Sequence, residues 1–324
     1  MFNQMLKKII FQLISIFFFL FILTNIAICD TATKMQVSFE GYNIYAPSIL
    51  LNSYWGIDFY SLWYSGWQKQ NSYDSIYYRS SLNGSHWSNP YKIISPMDIG
   101  PDYIHVGDPN VTKHFNETNQ TWQYTMFYTA CLEPCNQENN EIWSAVSNDG
   151  LNWMYHQILL AGPSGPAEPS AIIDQNDDGT FWKVYYVDRL DATKVKMVRV
   201  DTDRHAFAVS VVYQPANRLG ALANPEIRKL NNTWALFFNY YIGDPLDYVL
   251  ICRSNSVSNE KWNNDYDLVI NNQDSDISST TTPGILSIND NEYLLFFGLV
   301  NRSDDYSCDL AKHSSIHQWT FSMD

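Results

Sequence analysis

The chain has 324 residues, a formal net charge of −14, 45% hydrophobic and 15% aromatic residues. Charged residues reach only 17%, against roughly 25% in an average soluble domain. This composition excludes intrinsic disorder, because ample apolar surface is available for burial. The acidic balance argues against a nucleic-acid partner, since it repels phosphate backbones.

Residues 1–29 read as a signal peptide. Lys7 and Lys8 precede an apolar run from Ile9 to Leu23, and Thr24, Asn25, Ala27 and Cys29 close it. That order is the pattern of a secretory leader. The rival reading is an uncleaved signal anchor, the one route by which this chain would meet a membrane; the run is short for a span of about 20 residues. Export is the expectation, with a secreted or secretory-lumen location. N-x-S/T sequons at Asn83, Asn110, Asn116, Asn119, Asn231 and Asn301 agree with a glycoprotein. Four cysteines follow the leader: Cys131 and Cys135 are expected to pair across one loop, and Cys252 with Cys308, the alternative being buried free thiols.

The remainder, residues 30–324, carries one repeated pattern: a variable residue, Pro, a small or polar residue, then an apolar one. It occurs as Ala46-Pro47-Ser48-Ile49, Asp108-Pro109-Asn110-Val111, Glu168-Pro169-Ser170-Ala171, Asn224-Pro225-Glu226-Ile227 and Thr282-Pro283-Gly284-Ile285. The prolines are spaced 62, 60, 56 and 58 residues apart. After each comes an aromatic-rich strand: 59–67, 122–130, 181–187, 234–241 and 293–299. A third strand follows at 75–80, 141–147, 194–200, 248–254 and 307–313, and a short fourth strand, as at 91–94 and 157–160, usually closes the unit. Ser81 to Trp87 and Ser147 to Trp153 share a turn built on Asn83-Gly84 and Asp149-Gly150, residues that tolerate positive φ.

Five units of four antiparallel strands, without helical spacers, predict an all-β, five-bladed β-propeller. Blades are expected near 36–100, 101–161, 162–217, 218–273 and 274–324 of a single, monomeric domain. A sandwich would not repeat one motif at near-constant spacing, and a β-helix has shorter repeats. Proline fits the start of an innermost strand, where one backbone N–H can stay unpaired.

Innermost strands surround the axis, so the residues before proline converge: Ala46, Asp108, Glu168, Asn224 and Thr282. Two carboxylates, Asp108 and Glu168, thus come from neighbouring blades at equivalent places. Asp before Pro often serves only as a turn former, whereas Glu168 follows Gly165-Pro166-Ala167 and is no turn residue. Such a pair suits glycoside hydrolysis, one carboxylic acid protonating the leaving oxygen while another carboxylate activates water or attacks the sugar. His105, Asn224, Glu226 and Trp55 are candidate substrate-binding residues. Trp63 and Tyr241, inside strands, read as core. No ligand cluster demands a metal or other cofactor, and Asp174 to Asp178 reads as a hairpin turn rather than a calcium loop.

These motifs resemble the five-bladed propeller glycosidases: family 43 arabinanases and xylosidases, with the invertase and levansucrase families behind them. The resemblance covers essentially residues 36–324. It rests on the repeated x-Pro motif, on Asp108-Pro109 followed by Glu168-Pro169, and on the turn at 147–153. It implies a carbohydrate substrate, Glu168 as general acid and Asp108 as the carboxylate that tunes it and positions the sugar. Some relatives hold a central cation. The resemblance also requires a base carboxylate, and both places that could supply it hold other residues, Ala46 and Thr282. Asp58, Asp274 and Asp276 are the candidate substitutes. A sugar-binding propeller without catalysis is the alternative that this departure leaves open.

Overall fold

In the computed structural model the described residues are 32–35, 42–67, 73–116, 120–134, 137–176, 179–216, 220–230, 232–242, 249–262, 264–270, 277–289, 292–301 and 314–322. They form five four-stranded antiparallel sheets. The first strand, β1 (Ala32–Met35), belongs to the last sheet. The first blade is β2 (Tyr42–Tyr54), β3 (Ile57–Trp67), β4 (Ser75–Ser81) and β5 (Tyr91–Ile94). The second is β6 (Tyr103–Asn116), β7 (Thr121–Leu132), β8 (Asn140–Ser147) and β9 (Met154–Leu160). The third is β10 (Pro166–Asn176), β11 (Gly179–Asp188), β12 (Asp191–Val200) and β13 (Ala206–Tyr213). The fourth is β14 (Gly220–Leu230), β15 (Thr233–Ile242), β16 (Val249–Ser256) and β17 (Asp267–Ile270). The fifth contains β18 (Ile277–Asn289), β19 (Glu292–Asn301) and β20 (Ser314–Ser322). Its fourth strand is β1, paired antiparallel to β20 from Ala32↔Phe321 to Met35↔Gln318. First and last strands therefore close the ring, and β1 covers what would be the bare outer edge of β20.

The five-bladed architecture agrees with the sequence. In the fifth blade the third strand is β20, later than the expected 307–313, which lies outside the described residues. Proline does not begin the inner strands but sits inside them, at a bulge. The register skips between Tyr45 and Ser48, Gly107 and Asn110, Ala167 and Ser170, Ala223 and Glu226, and Thr281 and Gly284. A bulge leaves a residue out of the ladder, so a residue with no N–H costs no ladder bond there.

Packing between blades supplies the core. Among the described residues there are five apolar clusters, one at each junction. Between the first and second blades Trp63 is 1% exposed, and its Nε1 donates to Gly150 O at 2.9 Å. The expected aromatic second strands contribute most of the rings, with Tyr128, Tyr185, Phe237, Phe238, Phe296 and Phe297 fully buried.

The residue after each proline adds a polar clasp to the next blade. Ser48 Oγ accepts the Val111 N–H (2.9 Å), Asn110 Oδ1 the Ala171 N–H (2.9 Å) and Ser170 Oγ the Ile227 N–H (3.1 Å). Glu226 takes the Ile285 N–H in the same way. The fifth position is Gly284, where an added Cβ would meet Pro47 O at 2.1 Å. The fifth blade thus closes on the first by direct backbone approach, which only glycine permits. Cys252 is a buried free thiol, so the expected pairing with Cys308 is not formed; Cys135 and Cys308 lie outside the described residues.

Candidate functional site

The bulges impose an unusual backbone on the residue before proline. Ala46, Asp108, Glu168 and Asn224 have φ of 51°, 51°, 59° and 50°. A positive φ is uncommon for residues with a side chain and costs on the order of 1–3 kcal/mol where the surroundings enforce it. Here four blades repeat it, and these residues line one small axial cavity with Pro47, Pro109, Pro169, Pro225, Pro283, Asn110 and Glu226. The cavity measures about 20 Å³, room for a single water.

A second-strand hydroxyl of the preceding blade fixes each carboxylate-bearing residue. The Asp108 N–H donates to Ser65 Oγ at 2.8 Å, and the Glu168 N–H to Thr129 Oγ1 at 2.8 Å. In the third blade the residue paired with Ala167 is Val187, which has no acceptor on its side chain. The Asn224 N–H donates instead to Glu168 Oε2, at 2.7 Å. Asn224 Nδ2 in turn donates to Asn239 Oδ1 at 3.1 Å.

Asp108 and Glu168 are 8% and 4% exposed. Burial raises the pKa of both. For Asp108, His105 and Arg189 oppose the rise, as does a hydrogen bond from Thr129, while Asp74 adds to it. For Glu168, Arg189 opposes and Asp108 adds. Arg189 Nη2 lies 2.6 Å from Glu168 Oε1. Its guanidinium is held more firmly protonated than usual, chiefly by Glu168 and then, against the opposing effect of burial, by Asp108. Arg189 belongs to the turn between β11 and β12. Its N–H donates to Gly165 O at 3.0 Å, and the Leu190 N–H to Ser164 O at 3.3 Å. Gly165 has φ +62°, so the approach to β10 that stands out in the sequence also anchors the arginine.

His105 lies beside this pair, with Nδ1 2.7 Å from Asp74 Oδ2. Burial would lower its pKa, but the bond to Asp74 and the charges of Asp74 and Asp108 raise it overall. Tyr45 and Tyr241 complete the surroundings. Burial raises both phenols above their ordinary range, Asp74 and Asp108 adding for Tyr45, and Glu168 for Tyr241. Tyr241 therefore faces the carboxylates rather than the core that its strand position suggests, whereas Trp63 is core.

Asp108, Glu168, His105 and Asn224 are thus brought together. Glu226 lies on the axial cavity and is fully engaged. Oε2 accepts from Asn110 Nδ2 (2.9 Å) and Ser170 Oγ (2.8 Å), and Oε1 is 2.5 Å from Arg228 Nη2. Its place is in the clasp between blades. Among the described residues no group of three or more His, Cys, Asp or Glu is arranged to hold a metal.

Trp55 is not at the site. It is 89% exposed in the turn after β2, stacked on Tyr54 at 5.3 Å. Nine residues of extended chain separate it from Ala46, on the order of 25–30 Å. Asp58 is the second residue of β3, at that same far end, and Asp274 and Asp276 lie outside the described residues. The Asn110 sequon is also closed: the residue is 3% exposed and both ends of its amide are bonded. Arg189, Asp74, Ser65, Thr129 and Tyr45 join the site without a sequence signal. They come from second strands, from turns and from the residue beside the repeat, where no spacing recurs.

No protein-family model matches the sequence. No curated protein sequence matches it either. The fold does match solved structures. An exo-1,5-α-L-arabinanase from a bovine ruminal metagenomic library aligns at TM-score 0.62 and 11% identity, over 88% of this chain and 94% of that one. A GH43 endo-arabinanase from Bacillus licheniformis aligns at 0.61 and 15%, over 88% and 96%. An N-acetylgalactosamine deacetylase from F. plautii, in complex with blood group B trisaccharide, aligns at 0.64 and 12%, over 90% and 95%. At these identities the likeness is one of fold.

Proposed function

We propose that this chain is a secreted carbohydrate-active hydrolase that cleaves O-glycosidic bonds in oligo- or polysaccharides. The observation that carries the reading is the pair Asp108 and Glu168. They occupy equivalent bulges of adjacent inner strands, both buried and both acting on Arg189. The arabinanase fold of the similar structures supports the choice of substrate class.

Glu168 is the general acid. Its burial favours the protonated form that must reach the leaving oxygen. Arg189 and the Asn224 N–H are in place to hold the carboxylate left after that proton departs. Asp108 shapes the proton affinity of Glu168 by its charge and offers an acceptor to a sugar hydroxyl. Tyr45, Tyr241 and His105 stand beside the carboxylates and carry groups that suit a polyhydroxylated ring.

The test is release of sugar from arabinan, xylan, galactan and fructan oligosaccharides by wild type and Glu168→Gln. Loss of the acid costs about 10²–10⁴ in rate, and less on an aryl glycoside, whose leaving group departs with little protonation. Equal rates on oligosaccharides would remove Glu168 from this role. The second reading is a binding propeller without turnover, favoured by Ala46 at a place where the resemblance expects a carboxylate. Oligosaccharide binding by calorimetry, with no product from any of these substrates, would establish it instead.

A further inference from the structure

Hydrolysis needs a group that takes a proton from water, and neither Ala46 nor Thr282 has one. Beside Ala46 the structure places a different pair. Asp74, just before β4, and His105, in β6, meet at 2.7 Å through Oδ2 and Nδ1, with side chains 12% and 19% exposed. Asp74 is also hydrogen-bonded by the buried hydroxyl of Tyr45, the residue next to Ala46. With Nδ1 on Asp74, Nε2 is the nitrogen left for other partners. It lies over Gly107, where a Cβ would come within 3.1 Å of it, 3.0 Å of Tyr45 Oη and 3.1 Å of Ser65 Oγ. Gly107 directly precedes Asp108, so Nε2 stands at the edge of the carboxylate site. A carboxylate that fixes one imidazole nitrogen so the other can accept a proton is a general-base arrangement.

We infer, resting on the glycosidase reading above, that His105 Nε2 is the proton acceptor for the attacking water and that Asp74 is its positioning residue. The water oxygen bonds to the anomeric carbon as its proton passes to Nε2. The carbon–oxygen bond to the leaving group breaks, and that oxygen takes the proton of Glu168. Exchange with solvent returns a proton to Glu168 and removes one from His105. A single displacement inverts the anomeric centre.

Four groups set the protonation of His105: Asp74 and Asp108 hold the proton on, and Arg189 opposes them, as does burial. The fourth, Tyr45, keeps Asp74 in place. The neutral imidazole therefore gains population only as pH rises through its raised pKa.

The experiment measures kcat and KM against pH on oligosaccharides for wild type, Glu168→Gln, His105→Gln, Asp74→Asn and Asp74→Glu. It also follows the product anomer by NMR and the tautomer of His105 by ¹⁵N NMR, a readout that needs no turnover. His105→Gln is expected to lower kcat by about 10²–10⁴ with KM nearly unchanged. Asp74→Asn is expected to lower kcat at least about tenfold and to move the limb that His105 sets to lower pH, because the anion that holds the imidazolium is gone. Asp74→Glu should recover part of the loss. Activity that Glu168→Gln abolishes and His105→Gln spares would overturn the base assignment while leaving the hydrolase reading intact. So would retention of anomeric configuration, or a proton on Nε2 of the neutral ring. A wild type that binds sugars and turns over none would overturn both.

Discussion

Arg189 Nη2 stands 2.6 Å from Glu168 Oε1, and the same guanidinium feels Asp108 from the adjacent inner strand. One cation therefore balances two buried carboxylates that burial pushes toward protonation. The arrangement makes the proton affinity of Glu168 a difference between opposing effects, each removable by a single substitution.

Arg189→Gln removes the charge that lowers the Glu168 pKa. The acid then keeps its proton to higher pH, and the alkaline limb of kcat moves upward. Asp108→Asn removes a charge that raises it, so the same limb moves downward. Opposite shifts of the alkaline limb in pH–rate profiles of the two variants are the expected outcome. A limb that stays in place in both would mean that another group sets it.

The x-Pro repeat was readable because a physical need recurs in every blade. A bulge accepts proline, and the next residue must be small or polar to clasp the neighbouring strand. Asp108, Glu168 and Asn224 could be placed from that repeat alone. Glu226 shares the repeat but occupies the clasp position, where its carboxylate is consumed by Ile285, Ser170, Asn110 and Arg228. Trp55 is close to the first motif in sequence, yet the extended strand carries it to the far end of the blade. Arg189 and Asp74 were invisible for the converse reason. Each reaches the carboxylate site from a connection between the second and third strands of its blade, whose course only the folded ring determines.

Gly284 should tolerate no side chain. In most strands Gly→Ala stabilises, by roughly 0.5–1 kcal/mol, but a Cβ here meets Pro47 O at 2.1 Å. Backbone cannot rotate away as a side chain would, so the first and fifth blades must part. The expected loss is about 1–3 kcal/mol, read as a lower thermal midpoint in calorimetry. An unchanged midpoint in Gly284→Ala would show that the closure between these blades is looser than this contact implies.

The two related turns offer a comparison within one molecule. Asp149 Oδ1 accepts the N–H groups of Leu151 and Asn152, each at 2.8 Å, and Oδ2 accepts Asn152 Nδ2 at 2.7 Å. Asn83 Oδ1 accepts the N–H groups of Ser85 and His86, each at 2.9 Å, without a charge. Burial alone would raise the Asp149 pKa, but these bonds outweigh it and bring the group from 3.8 down to about 2. A depressed carboxylate contributes stability that is full above its unfolded pKa and is lost as pH falls through the folded one. Asp149→Asn should therefore flatten the urea midpoint between about pH 4 and pH 2. At neutral pH it should cost about 0.5–1.5 kcal/mol for the lost carboxylate contact. Asn83→Asp should add the same acid sensitivity to the first-blade turn, since its backbone donors already point at the new carboxylate. If the midpoints of both variants follow the wild-type pH curve, the turn contacts do not govern stability in acid.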